Sequence, residues 1–248
     1  MNFKKQIEVA GYLLFKNKGI SINWIQKKQN SVLAEKFTGK IVRPSINSKI
    51  RKIEALADAT NSLGEQPLWD GYARKNENRM PDRVRTHWLM GPLYSEITRI
   101  IKPETIVEFG TAFGVSGMYW LNGLEENKKG KLYTFEPNDI WAKIADKNLS
   151  KISNRYALTH GTFEDKVDEV LKGTRIDIAF IDAIHTREFV EPQLEIVLKN
   201  CSGHSYILLD DINFSAEMKQ LWDEVSNDKR FIASAALGNR VGILEYKR

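Results

Sequence analysis

Acidic residues and glycines recur along the second half of this 248-residue chain, each directly after a short apolar run. The first run ends at Glu108, and glycines follow at positions 110, 114 and 117. Glycine lets the backbone pass close to a ligand, and the free N–H groups of a helix start favour a hydrogen-bond acceptor. Because an acid precedes this turn and no Gly-Lys-Ser/Thr follows, the stretch predicts a loop for an uncharged or cationic nucleoside rather than a polyphosphate.

The second and third apolar runs end in residues suited to the rest of a nucleoside. Glu136 closes the second run, at the place where a carboxylate can accept both hydroxyls of a ribose. Small residues and an aromatic one follow the third run at 161–163, and this combination suits an adenine ring. The order of these features along the chain favours one extended nucleoside site.

The fourth and fifth apolar runs also end in acids, and a histidine lies near the first of them. Asp182 follows the fourth run with His185 three residues later, and Asp210 and Asp211 follow the fifth. Imidazole titrates near pH 6.5, which makes His185 a candidate general base. An acid at a single strand end is typically a helix N-cap, but matching chemistry at successive strand ends favours a shared site.

Alternating strands and helices must position these residues. From residue 104 the chain alternates short apolar strands with helix-length segments, and it ends in two strands joined by a turn. This alternation predicts a mostly parallel sheet covered on both faces, and the carboxyl ends of its strands share one edge. The predicted strands are 106–109, 131–136, 156–159, 176–182 and 205–209, the helices 115–125, 139–150, 164–172, 186–199 and 214–227, and the hairpin strands 231–236 and 241–246.

Residues 1–95 differ from the rest and predict a helical extension. They are rich in Lys, Asn, Gln and Ser, with scattered apolar positions and no strong strand. We interpret this region as a lid, a dimerisation surface or a substrate-recognition region, distinct from a second domain at 96–248. A homodimer would form through its helices, which are predicted at 4–16, 22–36, 47–62 and 84–101.

Composition restricts the class of protein. The single cysteine, Cys201, allows neither an intrachain disulfide nor a cysteine-based zinc site, which favours a reducing compartment and predicts a cytoplasmic protein. No run approaches the ~18 apolar residues of a membrane span. The 37 Lys and Arg are largely offset by 32 Asp and Glu, so the net charge of +5 argues against nucleic acid as a partner.

Four motifs together resemble the class I S-adenosylmethionine-dependent methyltransferases. They are Glu-Phe-Gly-Thr-Ala-Phe-Gly at 108–114, Glu136, Phe-Ile-Asp-Ala-Ile-His at 180–185 and Leu-Leu-Asp-Asp-Ile-Asn at 208–213. The terminal hairpin fits, since that fold ends in an antiparallel strand inserted into its sheet. The resemblance implies an α/β fold with a Rossmann-like, doubly wound, seven-stranded sheet, mostly parallel with a C-terminal antiparallel hairpin, plus an N-terminal helical extension.

The same resemblance implies S-adenosylmethionine as cofactor. The methionine part would lie against the glycine loop, the ribose against the acid of the second strand, and the adenine against the turn after the third. A sulfonium cation near the carboxylate of Glu108 is also electrostatically favourable. The implied cofactor-binding residues are Glu108, Gly110, Thr111, Ala112, Gly114, Ser116, Glu136, Pro137, Gly161, Thr162, Phe163 and Asp182.

Within this class, the motifs are most similar to O-methyltransferases of the catechol and caffeoyl-CoA types and to related bacterial proteins of unassigned substrate. That similarity implies a small-molecule acceptor with a hydroxyl group. In the metal-dependent enzymes an Asp ends the fourth strand, a Lys three residues later is the base, and Asp-Asn ends the fifth. Here His185 replaces the Lys and Asp211 replaces the Asn.

Two mechanisms follow from these departures. In one, Asp182, Asp210 and Asp211 hold a Mg²⁺ ion through carboxylate oxygens, the ligand type that this ion prefers. In the other, His185 acts as a metal-free general base, with Asp182 as its catalytic partner. The sequence leaves both open.

Three other functions remain as alternatives. The first is methylation of RNA or protein, although no Asn/Asp-Pro-Pro-Tyr/Phe motif follows the fourth strand. The second is a nicotinamide-dependent oxidoreductase, but Gly-Thr-Ala-Phe-Gly lacks the Gly-x-Gly-x-x-Gly spacing. The third is a non-catalytic scaffold in which the N-terminal helices act. We expect the acceptor to be chosen by the N-terminal region and by loops near 69–88, 213–218 and 238–240.

Overall fold

The computed structural model describes residues 19–71 and 77–248, so the helix predicted at 4–16 lies outside the described residues. The strands are β1 (Ile20–Lys27), β2 (Ile41–Val42), β3 (Gln66–Pro67), β4 (Asn78–Arg79), β5 (Thr105–Phe109), β6 (Lys131–Glu136), β7 (Tyr156–His160), β8 (Ile176–Ile181), β9 (Cys201–Leu209), β10 (Phe231–Leu237) and β11 (Val241–Lys247). The α-helices are α1 (Val32–Lys36), α2 (Ser48–Asn61), α3 (Met90–Ile101), α4 (Val115–Asn127), α5 (Asp139–Leu149), α6 (Phe163–Leu171), α7 (Arg187–Asn200) and α8 (Ala216–Ser226). From residue 104 onwards, every predicted element is confirmed with ends within about four residues.

Nine of these strands form one sheet in the order β2-β1-β10-β11-β9-β8-β5-β6-β7. Strands β7, β6, β5, β8 and β9 run parallel, and β11 lies antiparallel between β9 and β10. This arrangement confirms the predicted α/β sheet with an inserted antiparallel strand. The strand order reverses between β5 and β8, and in parallel sheets ligands bind outside the carboxyl ends at such a point.

The sheet has nine strands rather than the predicted seven, because the N-terminal region contributes two. The helix predicted at 22–36 is wrong over its first half, where β1 pairs antiparallel with β10 and places Ile22 opposite Leu237. Ile20 and Ile22 alternate with less buried neighbours, which is the two-residue period of a strand. In this region only Val32–Lys36 keeps the helical state. The described part of the N-terminal extension is therefore mixed rather than helical.

The two other predicted helices of the N-terminal region are present. Helix α2 is capped by Asn47, whose side chain accepts a hydrogen bond from the N–H of Ile50. Helix α3 begins at Met90 rather than at residue 84, because Pro81–Arg83 forms a separate 3₁₀ turn. Both helices pack against α4 on one face of the sheet.

Two apolar clusters cover the two faces of the sheet. Ile106 and Ile178 face a cluster shared with α2, α3 and α4, whereas Val107 and Ile181 face one shared with α6, α7 and α8. All five residues of β5 are buried, as expected for a central strand covered on both sides. Among the described residues, no helix is both long and apolar enough to cross a membrane.

A buried carboxylate connects the N-terminal region to the sheet. Glu245 in β11 is fully buried and accepts hydrogen bonds from the hydroxyl of Ser31 and from the N–H groups of Val32 and Leu33, the latter two at 2.8 and 3.1 Å. His204 Nε2 lies 2.6 Å from Oε1 of this carboxylate, the oxygen that also accepts the N–H of Val32. Since buried acceptors are costly when unpaired, the four contacts should stabilise the position of α1.

Replacing Glu245 by glutamine is expected to lower the free energy of unfolding by about 2–4 kcal/mol. The amide keeps the size of the side chain but offers one acceptor oxygen and turns an N–H₂ group towards donors. Urea denaturation followed by circular dichroism measures the change. Glu195→Gln is the matched control, because Glu195 pairs with Arg230 at the exposed surface and should change stability by less than about 1 kcal/mol. Equal losses in both variants would contradict the prediction.

Candidate functional site

The loop between β5 and α4 has the backbone shape that its glycines predict. Gly110 and Gly114 adopt positive φ angles of 82° and 80°, and Ala112 is also left-handed at 46°. A Cβ atom at Gly110 would lie 2.3 Å from the carbonyl oxygen of Asp182. Real Cβ atoms do not approach so closely, so only glycine lets this loop lie against the end of β8.

Glu136, at the end of β6, holds this loop in place. Its Oε2 accepts the N–H of Ala112 at 2.7 Å, and its Oε1 accepts the N–H of Asn138 at 2.9 Å. Burial raises the pKa of Glu136 to about 7, although both N–H contacts act in the opposite direction. A carboxylate offers about four acceptor positions, so lone pairs remain for further donors. Pro137 is half-buried, and its carbonyl oxygen lies 2.9 Å from His160 Nε2.

Glu108 lies beneath α4 and not on the open side of the loop. Its side chain is fully buried, and its Oε2 accepts the hydroxyl of Thr134 at 2.8 Å. Its Oε1 has no hydrogen-bond partner within the described part of the chain. Burial raises the pKa of Glu108 to about 7, partly offset by the neighbouring hydroxyls of Ser116 and Thr134. The hydroxyl of Thr111 lies 2.5 Å from that of Thr134, so a chain of polar groups links Glu108 to the loop.

The turn after β7 lies farther along the same edge. The N–H of Gly161 donates to the carbonyl oxygen of Glu136 at 3.1 Å, and Thr162 caps α6. The ring of Phe163 is buried and packs on Phe109 with centroids 3.7 Å apart. Gly161 and Thr162 thus lie at the edge with Glu136, whereas the Phe163 ring belongs to the core beneath it.

Three acids and one histidine meet at the ends of β8 and β9. His185 Nε2 lies 3.7 Å from Asp182 Oδ1 and 3.6 Å from Asp211 Oδ2. Burial, and then the nearby charge of Asp210, raise the pKa of Asp182 well above its usual range. The same two causes raise the pKa of Asp211, whose backbone is left-handed at φ 51°. The imidazole of His185 therefore lies between two of the three acids of this cluster.

Arg240 completes this cluster and was missed as a site residue in the sequence. Its Nε and Nη2 lie 3.1 and 2.7 Å from the two oxygens of Asp210, and its Nε lies 3.0 Å from Asp211 Oδ1. The residue lies in the turn between β10 and β11, a loop that was predicted to help choose the acceptor but that contains no motif for chemistry. The only signal was the adjacent pair of acids at 210 and 211, which requires a positive partner when buried.

The acid cluster meets the distance requirement of a metal site, and Arg240 contacts one of its acids. Single ligand atoms of Asp182, His185 and Asp210 lie within 4.8 Å of one another, and Asp211 is not part of that group. Both oxygens of Asp210 already contact the guanidinium of Arg240, whose charge would repel a second cation. The Mg²⁺ site predicted at Asp182, Asp210 and Asp211 stays a prediction.

Residues 107–212 match the model of a protein family described as a methyltransferase domain. The matched segment begins within β5 and ends after β9, so it contains the glycine loop, Glu136 and the acid cluster. A search of curated proteins gave no match.

Solved structures share the whole architecture. A methyltransferase of Podospora anserina bound to S-adenosylhomocysteine is 15% identical, with a TM-score of 0.64, and the alignment covers 100% of this chain and 97% of that one. An O-methyltransferase of Bacillus cereus, also bound to S-adenosylhomocysteine, is 17% identical, with a TM-score of 0.59 and coverage of 87% and 95%. TomG of Streptomyces achromogenes, an O-methyltransferase of tomaymycin synthesis in complex with S-adenosylmethionine, is 16% identical, with a TM-score of 0.60 and coverage of 88% and 97%.

At such identities the likeness of structure concerns the fold. The matched domain and this fold together confirm the predicted resemblance to the class I S-adenosylmethionine-dependent methyltransferases.

Proposed function

We propose that this S-adenosylmethionine-dependent methyltransferase transfers the methyl group to a hydroxyl of a small molecule, with His185 as general base. The observation that carries the proposal is the contact between the two halves of the site. The glycine loop touches the Asp182 carbonyl, and Asp182 lies beside the imidazole of His185. A nucleoside loop and an acid–base group thus share one edge of the sheet.

The residues at this edge fit the cofactor in chemical type. Glu136 would accept the ribose hydroxyls, since its carboxylate keeps unused lone pairs and lies against the loop backbone. The loop N–H groups at the start of α4 would face the methionine part, and the turn at Gly161 and Thr162 would border the adenine beside Pro137. Glu108 would act from beneath the loop, through Thr134 and Thr111.

The proposed reaction needs a base, alignment and exclusion of water. When bound, S-adenosylmethionine supplies an electrophilic methyl group on a sulfonium ion. The methyl group would pass to the acceptor oxygen, and S-adenosylhomocysteine would be the product released. His185 takes the proton of the acceptor hydroxyl and holds it on the imidazole. Asp182 and Asp211 stabilise that imidazolium, because their oxygens lie within 3.7 Å of Nε2. Most of the acceleration would come from holding the two reactants in line.

Residues 1–95 are proposed as the region that covers and selects the acceptor. Asn148 donates to Thr60 of α2 and to the carbonyl oxygen of Phe113 in the cofactor loop, both at 2.9 Å. Asn138, which follows Glu136, donates to the carbonyl oxygen of Pro67 at 2.8 Å. These contacts support a cleft shared by residues 1–95 and the proposed cofactor domain at 96–248. Two of the similar structures, from B. cereus and S. achromogenes, are O-methyltransferases, and this supports transfer to oxygen.

S-adenosylhomocysteine is expected to bind the protein, and to bind more tightly at pH 8 than at pH 6. The pKa of Glu136, about 7, means that its carboxyl group is mostly protonated at pH 6 and ionised at pH 8. The ionised form accepts ribose hydroxyls more strongly. Isothermal titration calorimetry at both pH values measures the difference, and S-adenosylmethionine is titrated in parallel. Folded protein that binds neither compound would refute the proposed function.

Two controls make this titration specific. Glu136→Gln should weaken binding and remove most of its dependence on pH, because the amide does not titrate. The raised pKa values of Glu108 and Glu136 also destabilise the fold as pH rises from about 4.5 to 7, since the unfolded carboxyl groups ionise first. Stability therefore changes in the opposite direction to affinity, and urea denaturation at both pH values separates the two effects.

A further inference from the structure

We propose that the guanidinium of Arg240 is the resident cation of the acid cluster, in the place of a divalent metal ion. The inference deepens the proposed function, and it rests on that function only for the statement that the cluster serves methyl transfer. It accounts for one departure from the metal-dependent pattern, because Asp211, where that pattern has Asn, contacts the guanidinium. It also gives a reason for the contacts of Arg240, in the turn of the hairpin, with the acids that follow β9.

Every acid of the cluster contacts Arg240, His185 or both. Asp210 is only 4% exposed, and both its oxygens contact Arg240 in a two-pronged geometry. Asp211 contacts Arg240 through Oδ1 and faces His185 through Oδ2. Asp182 faces His185 through Oδ1. A divalent ion at Asp210 would have to displace the arginine, because two cations cannot share these oxygens without strong repulsion.

The guanidinium also keeps a donor for other molecules. Within the described residues its Nη1 takes part in no hydrogen bond, and 43% of the side chain is exposed. The charge of Arg240 also acts on the N-terminal region. Burial is the main cause of the lowered pKa of His87, and the charge of Arg240 is the second. Arg240 therefore lies between the acid cluster and the region proposed to select the acceptor. A developing negative charge on an acceptor oxygen would be stabilised there by N–H groups rather than by a metal.

The test is a titration of the purified protein with MgCl₂ alone, for wild type and for Arg240→Gln. The wild type is expected to show no Mg²⁺ binding in the millimolar range. Removal of one charge beside three carboxylates should raise the affinity of the variant for Mg²⁺ by about tenfold or more. Arg240→Lys keeps the charge and should stay metal-free. If Arg240→Gln is poorly folded, the Mg²⁺ titrations of the wild type and of Arg240→Lys still test the proposal.

Two results would overturn the proposal. One is stoichiometric Mg²⁺ binding by the wild type, and the other is an unchanged Mg²⁺ affinity in folded Arg240→Gln. S-adenosylhomocysteine is titrated into the same samples to separate this inference from the proposed function. If the wild type bound no S-adenosylhomocysteine while wild type and variants gave the Mg²⁺ affinities expected above, the proposed function would be refuted and the charge assignment would stand. Binding of both S-adenosylhomocysteine and Mg²⁺ by the wild type would refute the charge assignment and leave the proposed function intact.

Discussion

Replacing His185 by alanine is expected to lower turnover by about 10²–10⁴-fold while the affinity for S-adenosylhomocysteine stays within about twofold of wild type. The imidazole is the only group of its type at the acid cluster within the described residues. Its removal leaves Asp182 and Asp211 without a positive partner on that side, but it touches neither Glu136 nor the glycine loop. Proton transfer and cofactor binding should therefore separate.

Turnover is measured as formation of S-adenosylhomocysteine with an acceptor that the wild-type protein methylates, and affinity by calorimetry on the same preparations. His204→Asn is the matched histidine control. His204 contacts the buried Glu245 in the half of β9 far from its carboxyl end, so this variant should lose stability and keep its turnover below the unfolding transition. Loss of both cofactor binding and turnover in His185→Ala would indicate a structural role for His185. Unchanged turnover would exclude it as the base.

The parts of this site that could be predicted from sequence are those fixed by local geometry. Parallel strands end at one edge, so residues that directly follow β5, β6, β8 and β9 had to meet there. Glu136, His185 and Asp182 belong to this group, and the structure brings each to that edge. The left-handed backbone at Gly110 and Gly114 was likewise implied by residue type, because few other residues adopt it without strain.

The parts that escaped prediction depend on contacts between distant segments. Nothing in the local pattern of Ile20–Lys27 says that the edge of β10 will be free to pair with it, so its helical propensity was overestimated. Arg240 is 29 residues beyond Asp211, and only the inserted β11 brings them together. The depth of a side chain is equally non-local. Glu108 lies at the end of β5 and Phe163 at the start of α6, as the sequence predicts, but both side chains are buried in the core, on opposite faces of the sheet.

Replacing Gly110 by alanine is expected to lower the free energy of unfolding by about 3 kcal/mol or more and to abolish turnover. The φ angle of 82° costs an alanine about 1–2 kcal/mol by itself. The new Cβ would also lie 2.3 Å from the carbonyl oxygen of Asp182 and 3.0 Å from the Cα of Ala183. Both neighbours are backbone atoms of the loop that carries His185, so relief of the clash must move the proposed base away from the cofactor loop.

Gly173→Ala is the matched control that carries only the first of these effects, the cost of the positive φ angle. Gly173 has nearly the same φ angle, 84°, but a Cβ atom there would meet nothing within 4 Å. It lies in the turn after α6, so its alanine variant should lose only about 1–2 kcal/mol and keep full turnover. Urea denaturation gives the two free energies, and their difference measures the clash between the β5 and β8 loops. If the two variants lost the same free energy and both stayed active, the close approach at Gly110 would not constrain the site, and the proposed joining of cofactor loop and base would lose its structural basis.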